Sequence, residues 1–430
     1  MRGALIIVVV ACVACNSRTV EQSGGGDGGA LDAAGAADGG SALGECGAAT
    51  ATYTATGTDQ SAVVADGTSK SLTSAAITSD SVTSNADNSS FYGQNAAVLA
   101  KNGGTITMEC DSVTTTGSGA NGVFATGTGS SITLTNVKIS CQGDGGHGVD
   151  ATQAASLTLR DVDITTAGAH GAAIATDRGG GTIDVTGGKV TTSGTDSPGI
   201  YSTGDISVTG AAIAATGAEA AVIEGANSIT VTDSALSAAK GTRDRGLMIY
   251  QSMSGDAQGT HGVFTMTGGS FTWPSTTGPA FYVTNSTGVI TLTGVTITCA
   301  SATLFKAGAD QWGASGSNGG NIDLTADGQA LEGDVVLDDV STMTATLKNG
   351  STLAGAINAA ATAKSVALAL DATSTWTVTA DSVVTTLTDA SATFAHVVGG
   401  GHTVCYQASA NGATTGTYSL SGGGTLKPCN

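Results

Sequence analysis

Eight times along this chain an apolar side chain is followed, seven positions later, by another. The pairs are Ile106 and Val113, Ile132 and Ile139, Leu157 and Ile164, Ile183 and Val190, Ile206 and Ile213, Ile229 and Leu236, Phe264 and Phe271, and Ile290 and Ile297. The phrases around them are variants of one another, as in SSITLTNVKISC (130–141) and GVITLTGVTITC (288–299). An offset that never changes says that one turn geometry is reused between two short runs. Within each run apolar residues alternate with Thr, Ser or a charge, the period of a strand with one face buried.

A further short run precedes each pair, anchored by Val98, Val123, Val149, Ile174, Ile200, Val222, Met248, Phe281 and Leu304. Three short strands per repeat, at 22–26 residues for most repeats, fit an all-β, right-handed parallel β-helix, in which each turn stacks on the last at ~4.8 Å. The composition agrees. With 65 Gly, 4% aromatic and 11% charged residues, the chain has too few large apolar groups for a conventional core, yet its apolar residues are too regularly spaced for disorder. Gly and Asn at the corners, as in GANG (119–122), supply turns of positive φ. The net charge of −19 disfavours nucleic acid and anionic lipid as partners by simple attraction. Acid polysaccharides are repelled on average too, unless a local basic site or a bridging cation intervenes.

The coil is expected over residues 45–390, with residues 391–430 as a C-terminal cap. SNADNSSFYG (84–93) reads as a loop. Ahead of the coil, MRGALIIVVVACVAC carries one Arg, an apolar run and small residues, the pattern of an export signal too short to span a bilayer. Its end resembles a bacterial lipoprotein cleavage site. Cys12 has the better local match but leaves a very short signal, so Cys15 is the expected acylated residue, ending a signal of residues 1–15. Residues 16–44, rich in Gly, Ala and Asp, form the expected tether. This implies a protein exported and lipid-anchored to the envelope, at the outer membrane or cell surface. Six cysteines follow, and of their possible pairings only Cys405 with Cys429 is expected. No spacing of His and Cys suggests a metal, and no cofactor motif occurs.

ALALDATSTWTVTADSVVTTLTD (367–389) resembles the C-terminal passenger region of pertactin-like autotransporters, through Ser374, Trp376, Val378, Thr379, Asp381 and Ser382. The preceding repeats resemble adhesin-like β-helix proteins more loosely. No translocator barrel is expected to accompany them. The resemblance implies surface adhesion or contact with glycan; the chain is expected to act as a monomer.

The connection between the first and second runs varies most. Its long versions are YQSMSGDAQGTHG (250–262) and KAGADQWGASGSNGG (306–320). Insertions confined to one corner of a solenoid mark its working edge. Asp177, Arg178, Glu224, Tyr250, Gln251, Asp256, Asn285, Gln311 and Trp312 follow the first run in successive turns, so the fold should stack them along one groove. Aromatic faces pack on sugar C–H surfaces, and amides, carboxylates and Arg read hydroxyls. The expected activity is binding of a surface glycan or envelope component. The alternative is a polysaccharide hydrolase using Glu224 with Asp177 or Asp256, or a lyase using Arg178, Arg243 or Arg245. A third reading rests on the outward columns of the second run, Thr107 to Thr291 and Glu109 to Thr293. They resemble the hydroxyl grids of ice-binding proteins, but Glu109, Arg160 and Asp184 interrupt them. His147 and His170 head neighbouring turns and are expected to stack there as ordinary corner residues.

Overall fold

In the structure, a computed structural model, residues 46–412 and 416–429 are described. The signal, Cys12, Cys15 and the tether lie outside them. The described chain is a right-handed parallel β-helix built on three long parallel sheets. The first-run sheet has 11 strands, from Val63–Asp66 to Asp334–Leu337. The second-run sheet has 13, from Ser69–Thr73 to Thr386–Asp389. The third-run sheet has 10, from Ala51–Ala55 to Thr296–Cys299, and a four-stranded sheet from Ala330–Glu332 to Val397–Val398 comes after it. Among the described residues no helix is long and apolar enough to cross a membrane.

The constant offset of seven is visible in the ladders. Ile106, Ile132, Leu157, Ile183, Ile206, Ile229, Phe264 and Ile290 stand in one register column of the second sheet. Val113, Ile139, Ile164, Val190, Ile213, Leu236, Phe271 and Ile297 stand in one column of the third. All but Ile297 are buried. Each aliphatic side chain stacked this way contributes roughly 1.5–3 kcal/mol of burial, and β-branched residues suit the pleat. At the corner between third and first runs, buried hydroxyls cap the turn. Thr115, Thr166 and Thr192 each donate to the carbonyl five residues on, and Trp273 Nε1 does the same to Gly278. Glycines fill the tightest part of that corner: a Cβ on Gly143 would sit 1.9 Å from the Gly117 carbonyl oxygen.

Parallel pairing continues past residue 390. Ser382–Val384 pairs with Thr403–Tyr406, which pairs with Thr425–Pro428, and Tyr418–Ser419 closes the end antiparallel. Cys405 is bonded to Cys429 there, and a second disulfide joins Cys46 to Cys110 at the other end of the coil. Cys141 and Cys299 are free.

Two expectations need correction. Residues 84–93 are not a loop but hold a helix, α1 (Ala86–Tyr92). Asn85 caps it by accepting from the Asn88 N–H at 3.0 Å, and Gly93 ends it at φ 63°. Seven residues are too few for apolar periodicity to show. His147 and His170 do not stack either. His147 is level with Asn121 and Ala172, whereas His170 occupies the left-handed turn position of Gly145 and Asp196.

A third correction shapes the site. Val222 and Met248 are not the interior anchors of their turns, whereas Leu304 is buried in the interior core beside Phe305. The ladder runs Ile200, Ala221, Leu247, Phe281, Phe305, with a bulge beside Leu304. A slip of one residue turns every side chain to the opposite face. Val222 and Met248 therefore point outward, and so do Tyr201, Glu224, Tyr250 and Tyr282.

Candidate functional site

Strands of the first sheet are buried on both faces. Val123–Thr126, Val149–Thr152, Ala221–Glu224, Leu247–Tyr250 and Phe281–Thr284 have no exposed residue, whereas Gly181–Thr186 in the second sheet alternates strictly between buried and exposed. The outer face of the first sheet is roofed. Helix α1 comes over it from the edge that precedes the strands: the Phe91 carbonyl accepts from Thr152 Oγ1 at 2.8 Å. The two long insertions come over it from the opposite edge.

Arg178 joins the two halves of this roof. Its guanidinium lies 3.7 Å above the Phe91 ring of α1 and forms a 2.7 Å ion pair with Asp256 of the first insertion. Glu224, 2% exposed, is the hub beneath that insertion. Its Oε2 accepts from Tyr201 at 2.6 Å and Tyr250 at 2.7 Å, and its Oε1 accepts from the Ser252 hydroxyl. Gln251 holds the same loop by donating to the carbonyls of Ala257 and Gly259, and Asn285 donates to the Gln251 carbonyl. The second insertion packs its Trp312 on Tyr250, ring centroids 4.7 Å apart, and anchors Asp310 on Arg245. Gln311 beside it is exposed.

The nine residues expected along the groove therefore divide. Asp177, Glu224 and Tyr250 share one outward column, with Thr203 between the first two. Glu224, Gln251 and Asn285 spend their polar atoms within the protein. Arg178 and Asp256 line open space: a cleft of about 760 Å³ bounded also by Gln153, Thr203, Asn227 and Gln258. A second cleft of about 650 Å³ adjoins it at Gln153 and is lined by Tyr92, Gln94, Lys101, Asn102 and Thr126. Together they run along six rungs, from Lys101 to Asn227, or ~24 Å over the five spacings between them. Tyr92 is 49% exposed, an unusual position for an aromatic side chain in so aromatic-poor a chain. Sequence reasoning missed Tyr92, Gln94, Lys101, Asn102, Gln153, Asn227 and Gln258. The one available signal was the lengthened segment before Val98, whose helix brings Tyr92 to the groove.

Two carboxyls under the roof are held away from ionisation. Burial pushes Asp177 up to about 7, with Asp256 and Glu224 adding to it against the Arg178 backbone N–H, which donates to Asp177 at 2.7 Å. Asp150, fully buried and without a hydrogen-bond partner on either carboxyl oxygen, is raised well above the usual carboxylate range by burial and then by Asp177. Burial likewise raises Tyr201 and Tyr250. His147 is pushed down to about 4 by burial, so it is neutral at pH 7. Among the described residues no group of three or more His, Cys, Asp or Glu is placed to hold a metal ion. Neither the known protein families nor the curated proteins contain a match to this chain.

Proposed function

We propose that this chain binds an extended saccharide along the roofed face of its β-helix. The observation that carries this reading is the pair of clefts joined at Gln153. They form one open trough bordered by an exposed aromatic, four amide side chains in one cleft and three in the other (Gln153 being shared), and the Arg178–Asp256 pair. Such a surface offers a stacking face for a sugar ring and many directed donors and acceptors for hydroxyls. In this reading the protein is an adhesin-like module, exported and anchored at Cys15, contacting surface glycan or envelope components. The resemblance of residues 367–389 to autotransporter passengers supports that setting.

The test is retention of the full-length protein on a panel of plant, algal and bacterial polysaccharides, with polymer size followed over a day. Retention by at least one polymer, weakened about tenfold or more by Tyr92→Ala together with Gln153→Ala and without shortening of the polymer, is the expected result. Undiminished retention by the double variant overturns the groove assignment.

One observation favours a second reading, catalysis. Asp177 stands next to Arg178 with a proton affinity suited to a general acid near neutral pH. Glu224, enclosed by two tyrosines and a serine, is the weaker candidate. Shortening of a polymer that Asp177→Asn abolishes, with retention unchanged, would establish this reading in place of the first.

A further inference from the structure

Farther along the same outer face lies a cluster that the trough does not use. Four of the chain's 15 lysines and arginines, Lys240, Arg243, Arg245 and Lys306, gather around the second insertion, in a molecule of net charge −19. Two of them are neutralised: Arg245 pairs with Asp310 at 2.5 Å and Lys240 with Asp244 at 3.2 Å. Arg243 and Lys306 have no carboxylate within ion-pair distance among the described residues. Each instead stands near an aromatic ring. Arg243 lies 4.9 Å from the centre of Trp312, and Lys306 5.8 Å from that of Tyr282, over which Arg245 also sits at 4.2 Å. A cleft of about 460 Å³ opens beside them, lined by Arg245, Tyr282, Lys306, Thr277 and Thr303 and by Asp244 and Asp310, which Lys240 and Arg245 neutralise; Arg243 and Trp312 stand outside its lining.

A cation against an aromatic face at an exposed site gains less than a well-formed charged hydrogen bond. Arg243 and Lys306 therefore have directed donors to spare. Arg243 is half-buried, and its charge reaches inward as far as Glu219, whose buried carboxyl would be raised further without it. Trp312 is also half-buried, so part of its ring remains free to pack on a sugar.

We infer that this cluster is a subsite for the carboxylates of a sugar-acid chain, with Lys306 at the cleft and Arg243 beside Trp312 as its charge partners and the free part of Trp312 as its stacking surface. The inference goes beyond the trough and rests on that reading for the polymer being a saccharide. A planar guanidinium matches a planar carboxylate through paired N–H donors. Nucleic acid is a poor alternative. Duplex DNA carries a charge every ~1.7 Å and feels the field of the whole protein, whereas a sugar-acid chain presents isolated charges that a local site can take singly. The cluster supplies the local basic site that binding an acid polysaccharide to so acidic a chain requires.

The experiment measures binding of the full-length protein to polygalacturonate and alginate, to their methyl esters, to a sulfated galactan and to neutral glucans, at 50 and 200 mM salt. The esters keep the sugar skeleton and lose the charge. The acid forms are expected to bind at least tenfold more tightly than the esters. Arg243→Gln and Lys306→Gln are each expected to weaken the acid forms about fivefold while leaving ester binding unchanged. Lys306 is exposed and Arg243 half-buried, so an unshifted melting temperature confirms folding of both variants. Equal binding of acid and ester, or acid binding untouched in the double variant, overturns the inference. Preference for the sulfated chain overturns the carboxylate assignment. Binding of neutral glucans alone overturns the subsite and leaves the trough standing, whereas retention of no polymer removes both.

Discussion

The outer faces of the first and second sheets are laid down by the same coil, rung for rung, yet one is a bare grid and the other a floor. On the second sheet, Thr107, Thr133, Thr158, Asp184, Ser207, Thr230, Thr265 and Thr291 stand in register. They are exposed or half-buried, and Ser207 donates to Asp184 beside it. On the first sheet the equivalent face carries Asp150, Asp177, Tyr201, Glu224, Tyr250 and Tyr282, and three separate segments cover it. The difference teaches where a solenoid can hold chemistry. A bare face offers each side chain full hydration, so its polar groups keep ordinary properties. A roofed face removes water and makes each polar group depend on a named partner.

The comparison can be broken most directly at Glu224 and Glu109, both outward on their sheets. Glu224→Ala leaves two buried tyrosine hydroxyls and Ser252 without their acceptor and should cost about 4 kcal/mol in denaturant unfolding, whereas Glu109→Ala should cost less than about 0.5 kcal/mol. Equal losses would mean that the roof carries no special load.

The next effect is on pH. Asp177 is held up to about 7 in the folded chain against an ordinary 3.8. Between those values the folded state keeps a proton that the unfolded state has released. Stability is therefore full below the unfolded value and falls as pH rises toward 7, and Asp150 acts in the same direction. His147, held neutral by burial, acts the opposite way below its ordinary value, so the effect is read as a difference: relative to Asp177→Asn, the wild type should lose roughly 2–4 kcal/mol from pH 4 to 8. A wild type that gains on Asp177→Asn over this range would contradict the assignment. The smallest expected effect is at Arg178 and Asp256, where a partly exposed pair is worth about 1 kcal/mol or less. Arg178→Gln should speed proteolytic cutting within 252–259 severalfold while hardly moving the melting temperature. The same substitution series on the bare face, Thr107→Ala and Thr230→Ala, should change neither.

The two faces also differ in how far the sequence reveals them. Where solvent meets one side of a strand, the alternation is written into the residues, and the Thr columns and their interior partners are legible to the residue. AVIE (221–224) and LMIY (247–250) are apolar nearly throughout because both sides are buried. Periodicity then cannot say which residues face inward, and the register slips by one. The candidate site suffers the same loss. Asp177, Arg178 and Asp256 could be placed on one edge from the repeat, but that Arg178 meets Asp256 across 78 positions and Phe91 as well follows only from how the insertions fold back. Tyr92 reaches the trough from an edge where no insertion was sought.

The two disulfides have a consequence for how such a coil comes apart. A stack in which each turn touches only its neighbours loosens like a zip, from whichever end is free. Here both ends are sewn: Cys46 to Cys110 across 64 residues, and Cys405 to Cys429 across 24. Oxidised, the coil has no loose turn from which to start, and opening has to begin in its interior, where the roof binds several rungs into one block. Reduced, the same coil regains two loose ends, so the redox state of its surroundings selects the place where unfolding begins.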